Sequence, residues 1–235
     1  MAVTVFFLGW ALAAAAGAPS NASLVDRQVA AAFPGWEIDE RAEGDLNGDT
    51  LADLVVTLRR TDDDSSSKGA DGQADRKAWL AVFFRTPDGK LRLQTKAARA
   101  VCIGCGGVKS DWSAVIGVPY VDAKGILALE YEGGSREVWN MRFKWRYDKA
   151  RDRSALVGET VQIRDTLSED GRVERGSLSY EDINYLSGKM IRKLGGKPEQ
   201  KCAVKPGIAV LDLAAFDFEK FCEIDEKSMH GSCGK

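Results

Sequence analysis

Histidine is almost missing from this chain: of 235 residues only His230 is one, and it lies near the C-terminus. That scarcity removes the usual general base of hydrolase triads and the commonest zinc ligand. Charge of one sign is also lacking, since the net charge is −2. No strong field therefore points to nucleic acid or an anionic membrane surface. No glycine-rich phosphate loop with its lysine is present, and no dinucleotide fingerprint follows a strand. A propeller-like repeat, at a period of about 40–50 residues, is absent too. The longest apolar run, Val3–Ala16, is roughly 21 Å as a helix, short of the about 30 Å needed to span a bilayer core.

The first 22 residues hold no charged side chain, and small residues precede both Ala16 and Ala22. This pattern predicts a signal peptide over residues 1–22 and a periplasmic or secreted protein, a buried N-terminal helix being the competing reading. The remainder, 23–235, has the length and composition of one domain. Five cysteines, Cys102, Cys105, Cys202, Cys222 and Cys233, would mostly pair in such a compartment.

Val25, Val29, Ala32 and Phe33 recur at helical spacing before Pro34-Gly35 ends the run. From there the rhythm is that of strands. "DLVVTLRR" (53–60) and "AWLAVFF" (78–84) flank a polar Gly/Ser/Asp-rich stretch, 61–77, read as a mobile hairpin loop. "LRLQT", "SAVIGVPYV", "GILALEYEGG" and "ALVGETVQIRD" continue the series between Gly- and Asp-containing turns. "EVWNMRFKWRYD" alternates cleanly, with Trp139, Met141, Phe143, Trp145 and Tyr147 assigned to the core. The fold expected is mainly β (a β-rich α+β chain): an antiparallel meander or propeller-like sheet with an N-terminal helix. "AVLDLAAFDFEKFC" fits strand or helix equally.

In "GDLNGDTLADL" (44–54), Asp45, Asn47, Asp49 and Asp53 occupy relative positions 1, 3, 5 and 9, with the Leu51 carbonyl at 7. Oxygen donors at this spacing suit Ca2+, which takes 6–8 oxygens in irregular geometry. The helix-loop-helix calcium loop is excluded, because its bidentate glutamate position is Val56. A solvated Asx-rich turn is the competing reading. "DLNGDTLADLVV" resembles the calcium loop of FG-GAP and VCBS-type proteins, with Thr50 in place of their usual glycine. The resemblance implies structural calcium on Asp45, Asn47, Asp49 and Asp53. More broadly, the order of "DLNGDTLADLVV", "CIGCGG", "YEGGSREVWNMRFKWRYD", "LVGE" and "NYLSGK" is similar to a group of exported bacterial envelope proteins of unassigned activity.

"CIGCGG" (102–107) has a C-x-x-C spacing that serves redox chemistry, zinc or a small disulfide. Two glycines follow where a thioredoxin-like site has a helix, so a Cys102–Cys105 disulfide is expected, with Cys202–Cys222 as the second pair. Glu130 and Glu132 share a strand face as a candidate acid/base pair, and Ser135 lacks the nucleophile-elbow pattern. The aromatic stripe of 137–147 is core, or a platform for sugar or peptide. The leading expectation is an exported, non-enzymatic calcium-binding module with a protein or carbohydrate ligand, no nucleic-acid partner and no stable membrane span. The competing functions are a thiol oxidoreductase at Cys102/Cys105 and a carboxylate-based hydrolase.

Overall fold

The structure is a computed structural model that describes residues 23–60, 78–109, 115–204, 211–220 and 231–232. The expected signal segment 1–22, the loop 61–77, Cys222 and His230 lie outside the described residues. Helix α1, Leu24–Ala32, starts at a capping box in which Ser23 and Asp26 satisfy each other's backbone N–H groups. It ends at Phe33, before Pro34, as the spacing predicts. Among the described residues no helix is long and apolar enough to cross a membrane.

The expected antiparallel β-rich fold is present, arranged as two main sheets. β1 (Trp36–Gly44), β2 (Asp53–Arg60), β3 (Ala78–Arg85) and β4 (Leu91–Ala97) form a four-stranded meander in sequence order. β5 (Cys102–Ile103) and β6 (Val115–Ile116) make a small ribbon. β7 (Val118–Val121), β8 (Ile126–Gly134), β9 (Glu137–Asp148), β10 (Arg153–Asp165), β11 (Leu178–Asn184), β12 (Lys189–Leu194), β13 (Gln200–Val204) and β14 (Gly231–Ser232) build an eight-stranded sheet, again in sequence order. The stretch that fitted strand or helix equally holds a 3-10 turn at Leu213–Ala215. Single bridges flank it, Ala155 to Asp212 and Arg99 to Asp217.

The small sheet is the middle of three layers. In β2 every residue from Asp53 to Leu58 is buried, because both faces are covered. Leu54, Val56 and Leu58 with Ala81 and Phe83 face α1, where Val29 and Phe33 pack on them. Trp36 and Trp79 stack at 3.8 Å on the same side. Val55, Leu80, Val82 and Phe84 face the large sheet and meet Leu129, Phe143, Trp145 and Leu156. A strand buried on both sides reads as a continuous apolar run, which is what "DLVVTL" shows.

The inward face of β9 is the one that alternation assigns. Phe143 lies at its centre, 5.5 Å from Tyr131, 5.1 Å from Phe216 and 6.4 Å from Phe218 between ring centroids. Truncating a fully buried aromatic removes its transfer free energy and leaves a cavity. Phe143→Ala is expected to lower the unfolding free energy by about 3–5 kcal/mol, read as a lower midpoint in denaturant titration. An unchanged midpoint would contradict this packing.

Candidate metal loop and sheet trough

The loop between β1 and β2 is held by its own acidic side chains. Asp45 Oδ1 accepts from the N–H groups of Gly48 (2.6 Å) and Asp49 (3.1 Å), and its Oδ2 accepts from Thr50 (2.8 Å). Asn47 Oδ1 accepts from Asp49 N–H at 2.9 Å, while its Nδ2 donates to Asp49 Oδ2 at 3.0 Å. Asp49 Oδ1 takes the N–H of half-buried Leu51 at 2.9 Å. Gly48 and Thr50 both adopt left-handed backbone, φ 73° and 72°. For the β-branched Thr50 this is costly, and the bond to Asp45 offsets it.

Asp53 closes the loop from beneath. It is 0 % exposed, and its carboxylate bridges Leu46 N–H and Arg85 N–H, each at 2.9 Å. Burial raises its pKa, and the charge of Asp49 adds to the rise, against the lowering effect of the Arg85, Leu46 and Asn47 N–H groups. Among the described residues, no three His, Cys, Asp or Glu side chains are grouped so as to hold a metal. The oxygens of Asp45, Asn47, Asp49 and Asp53 are turned to backbone and amide donors. Each has two lone pairs, so Asp45 Oδ2 and the Asp49 oxygens, with one bond each, keep acceptor capacity. The donor chemistry fits a hard cation.

The loop sits where the two sheets meet. A Cβ on Gly44 would lie 2.5 Å from Val121 Cγ1, and one on Gly125 would lie 2.5 Å from the Asp45 carbonyl oxygen. The β7–β8 turn, shaped by Asp122 accepting from Lys124 and Ile126 N–H, is thereby docked on the loop. Lys124, Arg146 and Tyr147 face Asp45 and Asn47 across an open hollow of about 530 Å³.

The other sequence candidates fall elsewhere. Cys102 and Cys105 form the expected disulfide, with Cα atoms 6.1 Å apart, between β5 and the turn after it. Cys202 is disulfide-bonded as well, while Cys222, its expected partner, lies outside the described residues. Glu130 is gripped by Arg142 through Nε (2.7 Å) and Nη2 (2.6 Å) on the outward face of the large sheet. Glu132 and Ser135 are exposed.

On the inward face, the large sheet runs on past the cover of the small one. There Trp139, Met141, Ile163 and Leu178, all half-buried, floor a trough of about 1070 Å³, with Cys105 and Phe218 on its walls. One wall is a glycine dovetail. A Cβ on Gly133 would lie 2.2 Å from Trp139 Cζ2 and 2.6 Å from Gly106 O, and Gly134 N–H donates to that same oxygen at 2.7 Å. The paired glycines of "CIGCGG" and "EGGS" exist for each other.

Strand parity alone could have found one group that the sequence reading missed. Glu159 shares the inward side with Val161 and Ile163, where it accepts from Tyr185 Oη at 2.8 Å. Beside Val161 in register, Glu181 is bonded by Arg192 Nε at 2.6 Å. Glu159 and Glu181 are each 1 % exposed. The Arg192 guanidinium offsets the buried charge of Glu181, while Glu159 has the neutral Tyr185 hydroxyl as its donor. Comparison with protein-family models, curated proteins and solved structures gave no match.

At the trough rim, Arg136 clasps Asp165 through Nη2 (2.9 Å) and Nε (3.2 Å). These bonds hold the Asp165 carboxyl below the usual aspartate range. A carboxyl depressed in the folded state adds stability above its unfolded pKa and loses it as pH falls through the folded value. Arg136→Met should therefore lower the denaturant midpoint at neutral pH. The gap from the parent should close in acid, below the ordinary aspartate range; a gap independent of pH would contradict the pairing.

Proposed function

We propose that this chain is an exported, non-enzymatic binding module whose acidic loop takes a structural Ca2+ ion. The observation that carries the reading is the position of that loop, at the corner where β1 of the small sheet meets the β7–β8 turn of the large one. Asp45, Asn47, Asp49 and Asp53 would hold the ion, with the Leu51 carbonyl completing the oxygen set. They would do so by turning from the N–H donors they now accept from, since they are not yet grouped around one point. The ion would neutralise Asp53, whose pKa burial raises, and Asp49, whose charge adds to that rise. Because the unfolded chain lacks the loop, binding adds directly to folding stability.

Support for a binding rather than a catalytic role comes from the state of the competing candidates. The Cys102–Cys105 pair is closed as a disulfide beside a tightly packed glycine contact, which suits a staple. Glu130 is committed to Arg142, which lowers its worth as a free acid or base. The absence of charge in residues 1–22 and the disulfides support a periplasmic or secreted location.

Melting in calcium and in chelator tests the proposal. Free calcium at a hundred times its dissociation constant should add about 2.7 kcal/mol, seen as a higher melting temperature that chelator reverses. Asp49→Asn keeps the acceptor for Leu51 N–H but removes the charge, so it should abolish the response. A melt identical in calcium and chelator would overturn the reading.

A further inference from the structure

We propose that the trough on the large sheet binds an extended, basic and apolar peptide segment of a partner protein. The inference rests on the reading of the chain as a binding module and names the chemistry of its ligand.

The floor is the inward, core-type face of the sheet continued into the open. Trp139 and Met141 share the side of Phe143 and Trp145, and Ile163 and Val161 stand opposite them in register on β10. Phe143 and Trp145 are 0 % and 1 % exposed under the small sheet, whereas Trp139, Met141 and Ile163 are only half-buried. Val108, on the lip, is 76 % exposed. Contiguous apolar surface of this kind, rimmed by polar residues, marks an interaction site. The floor crosses β9, β10 and β11, two interstrand steps of about 4.8 Å. That width of about 10 Å suits about three extended residues at about 3.3 Å each, with the flanking residues at the rim.

The rim selects the charge. Glu137, Glu174 and Glu219 line it, exposed, together with Asp165. The cation lining it is Arg136, already bound to Asp165 and with Glu137 and Glu174 adding to the negative surroundings. Four carboxylates against one guanidinium leave the lining negative, so lysine or arginine flanking apolar residues is the complementary ligand. An acidic ligand or an anionic membrane would be repelled. Carbohydrate is the poorer fit, because Trp139 packs its edge on Gly133 and tilts against Phe218 at 6.2 Å, and the rest of the floor is aliphatic or thioether.

The test uses two capped, fluorophore-labelled peptides on the folded full chain, Lys-Leu-Phe-Leu-Lys and its isostere Glu-Leu-Phe-Leu-Glu, followed by anisotropy. The basic peptide should bind at least about tenfold tighter at low ionic strength, with the difference shrinking as salt screens the rim. The exposed triple variant Glu137→Gln/Glu174→Gln/Glu219→Gln should retain the fold and lose the preference. Val108→Asn, which removes apolar surface without adding charge, should weaken both peptides. Equal binding of the two, no binding of either, a preference that survives the triple variant, or binding of a neutral oligosaccharide instead would each overturn the proposal. Loss of peptide binding by a protein whose melt still responds to calcium removes this inference and leaves the metal reading standing.

Discussion

Burial of β2 and β3 on both faces is the constraint from which the rest of the structure follows. A sheet apolar on both sides needs two covers, and the chain supplies them from opposite directions. The helix at its start covers one face with Val29 and Phe33. The large sheet covers the other with Leu129, Phe143, Trp145 and Leu156. Such a middle layer has no solvent-facing side on which to place a charge. Asp53, its first residue, is consequently 0 % exposed and must be satisfied by backbone N–H groups from Leu46 and Arg85. One carboxylate thereby ties the acidic loop to the far end of β3.

The unequal size of the two sheets has a second consequence. Four strands cannot cover eight, so the core-type face of the large sheet outlasts its partner. Part of the surplus is dealt with by aromatic packing, with Phe218 stacked on Tyr131 at 4.1 Å. Further along the sheet it is filled by buried polar pairs, the ion pair of Glu181 with Arg192 and the hydrogen bond from the Tyr185 hydroxyl to Glu159. What is left open is the trough. Its wall is shaped by the Cys102–Cys105 staple and by glycines that let two backbones approach within hydrogen-bonding distance.

Local signals were well written in the sequence. The helical spacing up to Phe33 and the alternation along β9 each depend on neighbours a few residues apart, and each is present. The apolar run of β2 announced burial but not what buried it, because pairing partners far along the chain leave no local period. Division into two sheets was illegible for that reason. The acidic loop was recognised by spacing, yet its contact with Gly125 depends on a turn over seventy residues away in sequence. Glu130 looked like a free acid until β9 brought Arg142 opposite it. The glycine pairs, read as a missing helix and a failed nucleophile motif, acquire a reason only when they meet.

The central claim is that the acidic loop is a joint between the sheets which a cation completes. Site-resolved hydrogen exchange with and without calcium addresses it directly. Ion binding should slow exchange at the loop amides of Leu46, Gly48, Asp49 and Thr50, and also at Lys124, Gly125 and Ile126 in the docked turn of the large sheet. Protection confined to the loop, or no change at either place, would contradict it.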